Sequence, residues 1–170
     1  QSLAEGVARL LKPEGLLVFE DPYLGDIVEK TSYDQIYDEH ASYFSLASVT
    51  NWLRPHGLEV VDAQPQAVHG GSMRYTIARR GARGVLPAVE LLRHHEAKLG
   101  LHLPETYAKL RRRIEASRDA LLALLKKLKG EGKRVVGYAA TSKSTTVFNY
   151  CGVGPELVEF LSDTTPLKQG

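Results

Sequence analysis

Lys12-Pro13-Glu14-Gly15-Leu16-Leu17-Val18-Phe19-Glu20-Asp21-Pro22 is the stretch that decides the fold class. Before it, Leu3, Val7, Leu10 and Leu11 recur at helical spacing, and Lys12-Pro13-Glu14-Gly15 breaks that pattern. Leu16 to Phe19 is then apolar at consecutive positions and bounded by Gly15 and Glu20-Asp21-Pro22. Such a run predicts a strand buried on both faces, as in a parallel sheet, and a helix feeding that strand indicates an α/β fold.

The pattern repeats downstream. Leu46 to Leu53 predicts a second helix, ended by Pro55 and Gly57, and Leu58-Glu59-Val60-Val61 predicts a second strand. His69-Gly70-Gly71-Ser72 has turn chemistry, with close approach of the backbone to a ligand as the alternative use of its glycines. It leads into Met73 to Ala78, where Met, Tyr and Ile alternate with Arg, Thr and Ala as in a strand with unlike faces.

Arg79-Arg80-Gly81-Ala82-Arg83-Gly84 is basic and has no periodicity, which marks a domain boundary. Beyond it, Val85 to Leu99 and Glu105 to Lys129 read as helices. The second carries Leu110, Ile114, Leu121, Leu124, Leu125 and Leu128 as a packing face. Arg134 to Tyr138 predicts a strand, Thr141 to Asn149 a loop opening a helix, and Leu157 to Leu161 a further helix or strand. The expected division is therefore 1–80 and 81–170, the second part starting a new α/β unit.

Composition narrows the function class. The 170 residues are 43% hydrophobic and 25% charged, which is ordinary for a folded soluble chain and excludes disordered, collagen-like and coiled-coil classes. Lys and Arg number 22 against 20 acidic residues, too small an excess for a nucleic-acid binder. Cys151, the lone cysteine, makes neither an internal disulfide nor a thiolate zinc cluster, so no metal is expected here and a reducing cytoplasmic setting is favoured. No apolar run approaches the roughly 18–20 residues of a membrane helix, and the start has no signal-peptide pattern.

Two constellations could carry chemistry. Tyr33-Asp34-Gln35-Ile36-Tyr37-Asp38-Glu39-His40-Ala41-Ser42-Tyr43-Phe44 lies between the first strand and the second helix, beyond the carboxyl end of a strand, where open parallel sheets bind ligands. His40 suits a general base, and Glu39 or Tyr37 could orient it or donate to a developing oxyanion. The alternative is a packing and hydrogen-bonding histidine. In the second, a strand runs into Thr141-Ser142-Lys143-Ser144-Thr145-Thr146 and then a helix, so N–H groups, hydroxyls and one ammonium converge as for a phosphate or diphosphate. Ser142 stands where a P-loop has its second glycine, so a P-loop-like NTPase is an alternative, as is a plain capped helix. His94-His95 sits on a helix with the two rings pointing apart and makes no chelating face.

Tyr37-Asp38-Glu39-His40 with Ser42-Tyr43-Phe44-Ser45-Leu46, Gly70-Gly71-Ser72-Met73-Arg74, and Gly137-Tyr138 with Ser142-Lys143-Ser144-Thr145-Thr146 and Asn149-Tyr150-Cys151-Gly152 together resemble the S-adenosylmethionine-dependent nucleotide-sugar C-methyltransferases. The resemblance implies a Cys-rich zinc module, a class I Rossmann-type methyltransferase domain and a C-terminal Rossmann-like domain that helps hold a nucleotide sugar. Residues 1–80 would be the second half of the methyltransferase domain, ending in its antiparallel last strand. Residues 81–170 would be the truncated start of the C-terminal domain. The Gly-rich turn and acidic strand end that cradle the cofactor are absent from these residues, as is the zinc module. The chain is thus expected to be a fragment, inactive and poor at binding the cofactor alone, with zinc only in the missing module. The resemblance also implies His40 as the base beside the ketone of a nucleotide-linked 4-keto-deoxysugar, with Tyr37 and Glu39 assisting. Thr141, Ser142, Lys143 and Ser144 would hold the substrate's diphosphate. A non-catalytic nucleotide-sugar binding module is the other alternative, and neither nucleic acid nor membrane is an expected partner.

Overall fold

The computed structural model of the chain describes residues 2–168. It is α/β, and it forms two compact units that interleave in sequence: Gln1–Lys30 with Ser42–Tyr107, and Thr31–Ala41 with Ala108–Gly170.

The first unit contains α1 (Ser2–Leu10), β1 (Leu17–Pro22), α2 (Leu24–Lys30), α3 (Leu46–Leu53), β2 (Leu58–Gln66), β3 (Ser72–Arg79) and α4 (Pro87–Leu99). Its sheet has the order β1-β3-β2, with β3 antiparallel to both neighbours. Thus β1 and β2 run the same way and β3 is the expected antiparallel last strand. Phe19 lies opposite Tyr75, and Tyr75 opposite Ala63, with a bulge between Val60 and Asp62. Met73, Tyr75 and Ile77 pack with Leu46, Val49 and Leu53 of α3, Val89 and Leu92 of α4, and Ala4 of α1. Each large side chain buried there contributes about 1.5–3 kcal/mol of transfer free energy.

Local chemistry explains the boundaries. Ser45 caps α3: its hydroxyl accepts from the Ser48 N–H while the Ser48 hydroxyl accepts from the Ser45 N–H, a reciprocal box. Gly57, at φ 70°, stops the short 3₁₀ turn that follows.

Three expectations are corrected. β1 is not buried on both faces: Val18 is 53% exposed, because among the described residues the core covers only the face that carries Leu17 and Phe19. On α1, Ala4, Val7, Ala8 and Leu11 pack inward while Leu10 is 86% exposed, so the buried stripe is offset from the one the leucines suggested. The residues between the first strand and second helix include an unforeseen helix, α2, which buries Gly25, Ile27 and Val28.

The second unit contains most of α5 (Pro104–Gly130), then β4 (Gly137–Tyr138), α6 (Ser142–Cys151) and β5 (Leu161–Ser162). β4 and β5 pair in parallel, a short strand-helix-strand passage. The strand expected over Arg134 to Tyr138 is reduced to two ladder residues, though Glu159 N–H still donates to Val135 C=O. Leu125, Cys151, Val153 and Val158 form the core, joined by Leu121, Leu122, Val147 and Phe148. Leu124, expected on the packing face of α5, is 53% exposed, and Leu122 packs instead. No helix of the described residues is long and apolar enough to cross a membrane.

Candidate functional site

Residues 33–41 of the first constellation and the whole of the second fall in the second unit, while Ser42, Tyr43 and Phe44 belong to the first. The loop after β4 opens with Ala139 in the left-handed region (φ 74°), a conformation that costs a non-glycine residue about 1–2 kcal/mol. Flanking hydrogen bonds hold it: Ala139 N–H donates to Ser162 C=O at 2.7 Å and Ala140 N–H to the Asp163 carboxylate at 2.8 Å. Hydrogen bonds from the Thr165 hydroxyl and amide are the main reason the Asp163 carboxyl is held down at about 2; Ala140 N–H and the Lys168 ammonium add to the effect, against the opposing pull of desolvation. Lys168 also donates to Ala140 C=O at 2.7 Å.

Thr141 is the N-cap of α6, its hydroxyl accepting from the Ser144 N–H at 3.1 Å. The Ser144 hydroxyl donates to Thr141 C=O at 2.7 Å. The side chains of Thr141 and Ser144 are therefore engaged in building the helix start, an arrangement worth about 1 kcal/mol for the cap. Ser142 opens the helix and is exposed, Lys143 is half-buried, and the positive end of the helix dipole lies at this turn.

The Tyr33–Ala41 segment lies along α6. Residues Tyr33–Gln35 form a 3₁₀ turn with Gln35 buried. The Thr146 hydroxyl, one turn beyond Ser142, faces two acceptors, Ser142 C=O at 3.2 Å in its own helix and Ile36 C=O at 3.3 Å, which share its one hydrogen. At the other end of α6, the Tyr33 hydroxyl lies 3.7 Å from Cys151 Sγ, and the Tyr33 and Tyr150 rings are 5.6 Å apart. Burial raises the Tyr33 phenol above its ordinary range, with the cysteine contributing. Arg118 of α5 lies over the Tyr150 ring, 5.9 Å from its centre.

Tyr37 and His40 come together: their rings meet edge to face at 5.3 Å, and His40 N–H donates to Tyr37 C=O at 3.3 Å. Glu39 is exposed. The structure thus joins Tyr37 to His40, and the Ile36–Thr146 contact brings the neighbouring residue of their segment against the helix that begins with Ser142, Lys143 and Ser144.

In the first unit, Gly71 has φ 135° and its C=O accepts from Tyr23 N–H at 3.2 Å, so the glycine pair connects β2 to β3 as a turn. His94 is exposed and bonds Glu90 of its own helix, while His95 pairs with Glu29 at 3.3 Å. Among the described residues no group of three or more His, Cys, Asp or Glu side chains is arranged to hold a metal.

One buried acidic side chain was not picked out by the sequence. Glu96 of α4 is 5% exposed, and its carboxylate accepts from Leu46 N–H at 2.5 Å, Ala47 N–H at 3.1 Å and the Tyr23 hydroxyl at 3.2 Å. Its signal was its spacing from Val89 and Leu92, which places it on the buried face of α4. Burial and the Glu96 charge together push the Tyr23 phenol well above its ordinary range.

Residues 67–170 match the family described as the C-methyltransferase C-terminal domain, and the chain belongs to that family. It is also similar to the C-methyltransferase NovU of Streptomyces niveus, with 39% identity over 166 residues that make up 97% of this chain and 40% of the relative. The chain therefore spans two fifths of that relative's length.

Proposed function

We propose that this chain is part of an S-adenosylmethionine-dependent methyltransferase that methylates the carbon beside the ketone of a nucleotide-linked 4-keto-deoxysugar. The observation that carries this reading is that residues 31–41, which include Tyr37 and His40, share a compact unit with α6, the helix whose first turn contains Ser142, Lys143 and Ser144, and that Ile36 C=O lies 3.3 Å from the Thr146 hydroxyl of that helix. Family membership and the name of the relative support the methyl transfer itself.

A hydrogen beside a ketone is acidic because its conjugate base is an enolate, so one positioned base suffices to remove it. His40 takes that proton, Tyr37 steadies the imidazole by edge-to-face packing, and the electron pair moves onto the ketone oxygen. Glu39, exposed and next to His40 in the chain, assists by orienting the imidazole that takes up the proton. The enolate carbon is then the nucleophile. S-adenosylmethionine supplies an electrophilic methyl group; none of the described residues forms the Gly-rich strand-turn-helix cradle that would hold it, and no residue of this chain is assigned to it. Ser142 and Lys143, at the positive end of α6, hold the diphosphate, and Thr141 and Ser144 shape that turn through the cap. A cytoplasmic setting suits such a substrate.

In a full-length protein carrying this chain, Lys143→Ala is expected to raise the sugar-nucleotide KM about tenfold or more with kcat less affected. His40→Asn is expected to lower kcat by about two to four orders of magnitude. Retained methyl transfer in His40→Asn contradicts the assignment of the base, and an unchanged KM in Lys143→Ala contradicts that of the diphosphate site.

A further inference from the structure

Within the second unit, residues 31–41 are a run of overlapping turns. Thr31 opens it in the left-handed region (φ 58°), a costly conformation for a β-branched residue, and its C=O accepts from Tyr33 N–H at 2.9 Å. From there the backbone bonds lead to His40. Tyr33 C=O accepts from Ile36 N–H at 3.0 Å, Gln35 C=O from Tyr37 N–H at 3.2 Å, and Tyr37 C=O from His40 N–H at 3.3 Å. A displacement at Tyr33 is passed through these turns to Tyr37 and His40.

Tyr33 is also where the run is fastened to the helices of its own unit. Its hydroxyl lies 3.7 Å from Cys151 Sγ of α6 and hydrogen-bonds the Ser117 side chain of α5. Its ring packs 5.6 Å from that of Tyr150 on α6, which the Arg118 guanidinium of α5 covers from 5.9 Å. A tyrosine combines a large apolar ring with a polar tip, and here the two ends engage both helices. Ile36 C=O, farther along, has only a shared claim on the Thr146 hydroxyl hydrogen, so it holds the run less firmly. Ser142 and Lys143, by contrast, stand on α6 itself and do not depend on this fastening.

We propose that Tyr33 is a positioning residue for the reaction: by fastening the start of residues 31–41 to α5 and α6 it fixes the presentation of His40 within this unit. This rests on the proposed role of His40. Tyr33 does not touch substrate itself; it acts through the turns that link it to Tyr37 and His40.

The test uses a full-length protein carrying this chain and three variants measured side by side. Tyr33→Ala removes both ring and hydroxyl. Tyr33→Phe removes the hydroxyl alone, keeps the ring beside Tyr150, and serves where Tyr33→Ala does not fold. Val158→Ala weakens the core of the same unit beside Gly137 and keeps the side-chain partners of Tyr33. Rates are compared at a temperature at which circular dichroism shows each variant folded. The expected result is a fall in kcat, and in the rate of deuterium exchange beside the ketone, of about tenfold in Tyr33→Ala and about threefold in Tyr33→Phe, with sugar-nucleotide KM changed less than about twofold and Val158→Ala near wild type. Equal losses in Tyr33→Ala and Val158→Ala, or a raised KM at unchanged kcat, overturn the positioning role. So does wild-type exchange in Tyr33→Phe where Tyr33→Ala is unfolded. Wild-type exchange in His40→Asn overturns instead the reading on which the role rests, so the two failures are distinguishable.

Discussion

Replacing Gly71 by alanine sets a methyl group where the backbone leaves no room for one. At φ 135° an L-residue is strained, at a cost of about 1–3 kcal/mol. A Cβ built there overlaps the Asp26 carboxylate and lies 2.7 Å from Asp26 Cβ. Asp26 yields only by leaving Lys30, to which it is bonded at 2.9 Å and which in turn donates to Gly70 C=O at 2.8 Å. Overpacking of this kind costs about 1–3 kcal/mol more, and the partly exposed ion pair less than about 1. Gly71→Ala should therefore lose about 2–7 kcal/mol. Gly57 is the control: its φ is 70°, nothing lies within 4 Å of an added Cβ, and Gly57→Ala should lose only about 1 kcal/mol. Urea unfolding followed by the fluorescence of Trp52, the single tryptophan, which packs against the first unit's core, reports on both. With a slope of about 2 kcal/mol per molar urea, the Gly71→Ala midpoint should fall about 0.5–3 M below that of Gly57→Ala. Equal midpoints would refute the view that the Gly70-Gly71 pair is retained for backbone geometry at the Asp26 contact.

Asp163, held down at about 2, contributes stability that is complete above the ordinary carboxyl range and lost as pH falls from about 4 to about 2. The stability gap between wild type and Asp163→Asn should therefore be constant from pH 7 to about 5 and close toward pH 2 in denaturant titrations; a gap independent of pH contradicts the assignment. Arg79 donates to Ala8 C=O and Leu11 C=O at 2.6 Å each, tying the end of α1 to β3. Arg79→Met should cost about 2 kcal/mol in urea unfolding, and Arg79→Lys should recover little, because one ammonium does not reproduce the forked geometry.

Local signals carried much of the fold. Leu46 to Leu53 was legible because Pro55 and Gly57 lie just beyond it, and the structure adds the Ser45 cap at its start; Met73 to Ala78 was legible because its alternation matches a sheet with one packed face. Helix α2 went unread because it is short and follows Pro22 directly, although Leu24, Ile27 and Val28 show the i, i+3, i+4 spacing. β1 was misread because an apolar run reports hydrophobicity but not how many layers cover it. The association of residues 31–41 with α6 rests on tertiary contacts such as Thr146 with Ile36, which no local pattern encodes. Glu96 was hidden for a related reason: a glutamate on a helix ordinarily faces water, and its three donors come from α3 and from Tyr23, just beyond β1. In the candidate site, Tyr37 and His40 were legible together, whereas the use of Thr141 and Ser144 as the cap of α6 emerged only from the hydrogen bonds.

The central claim is that His40 removes a proton from the carbon beside a ketone, and that step can be observed without methyl transfer. A full-length protein carrying this chain is incubated in deuterium oxide with a nucleotide-linked 4-keto-deoxysugar, and incorporation at that carbon is followed by mass spectrometry or NMR. Exchange catalysed by the wild type and abolished in His40→Asn is the predicted result; exchange at the wild-type rate in His40→Asn would contradict it.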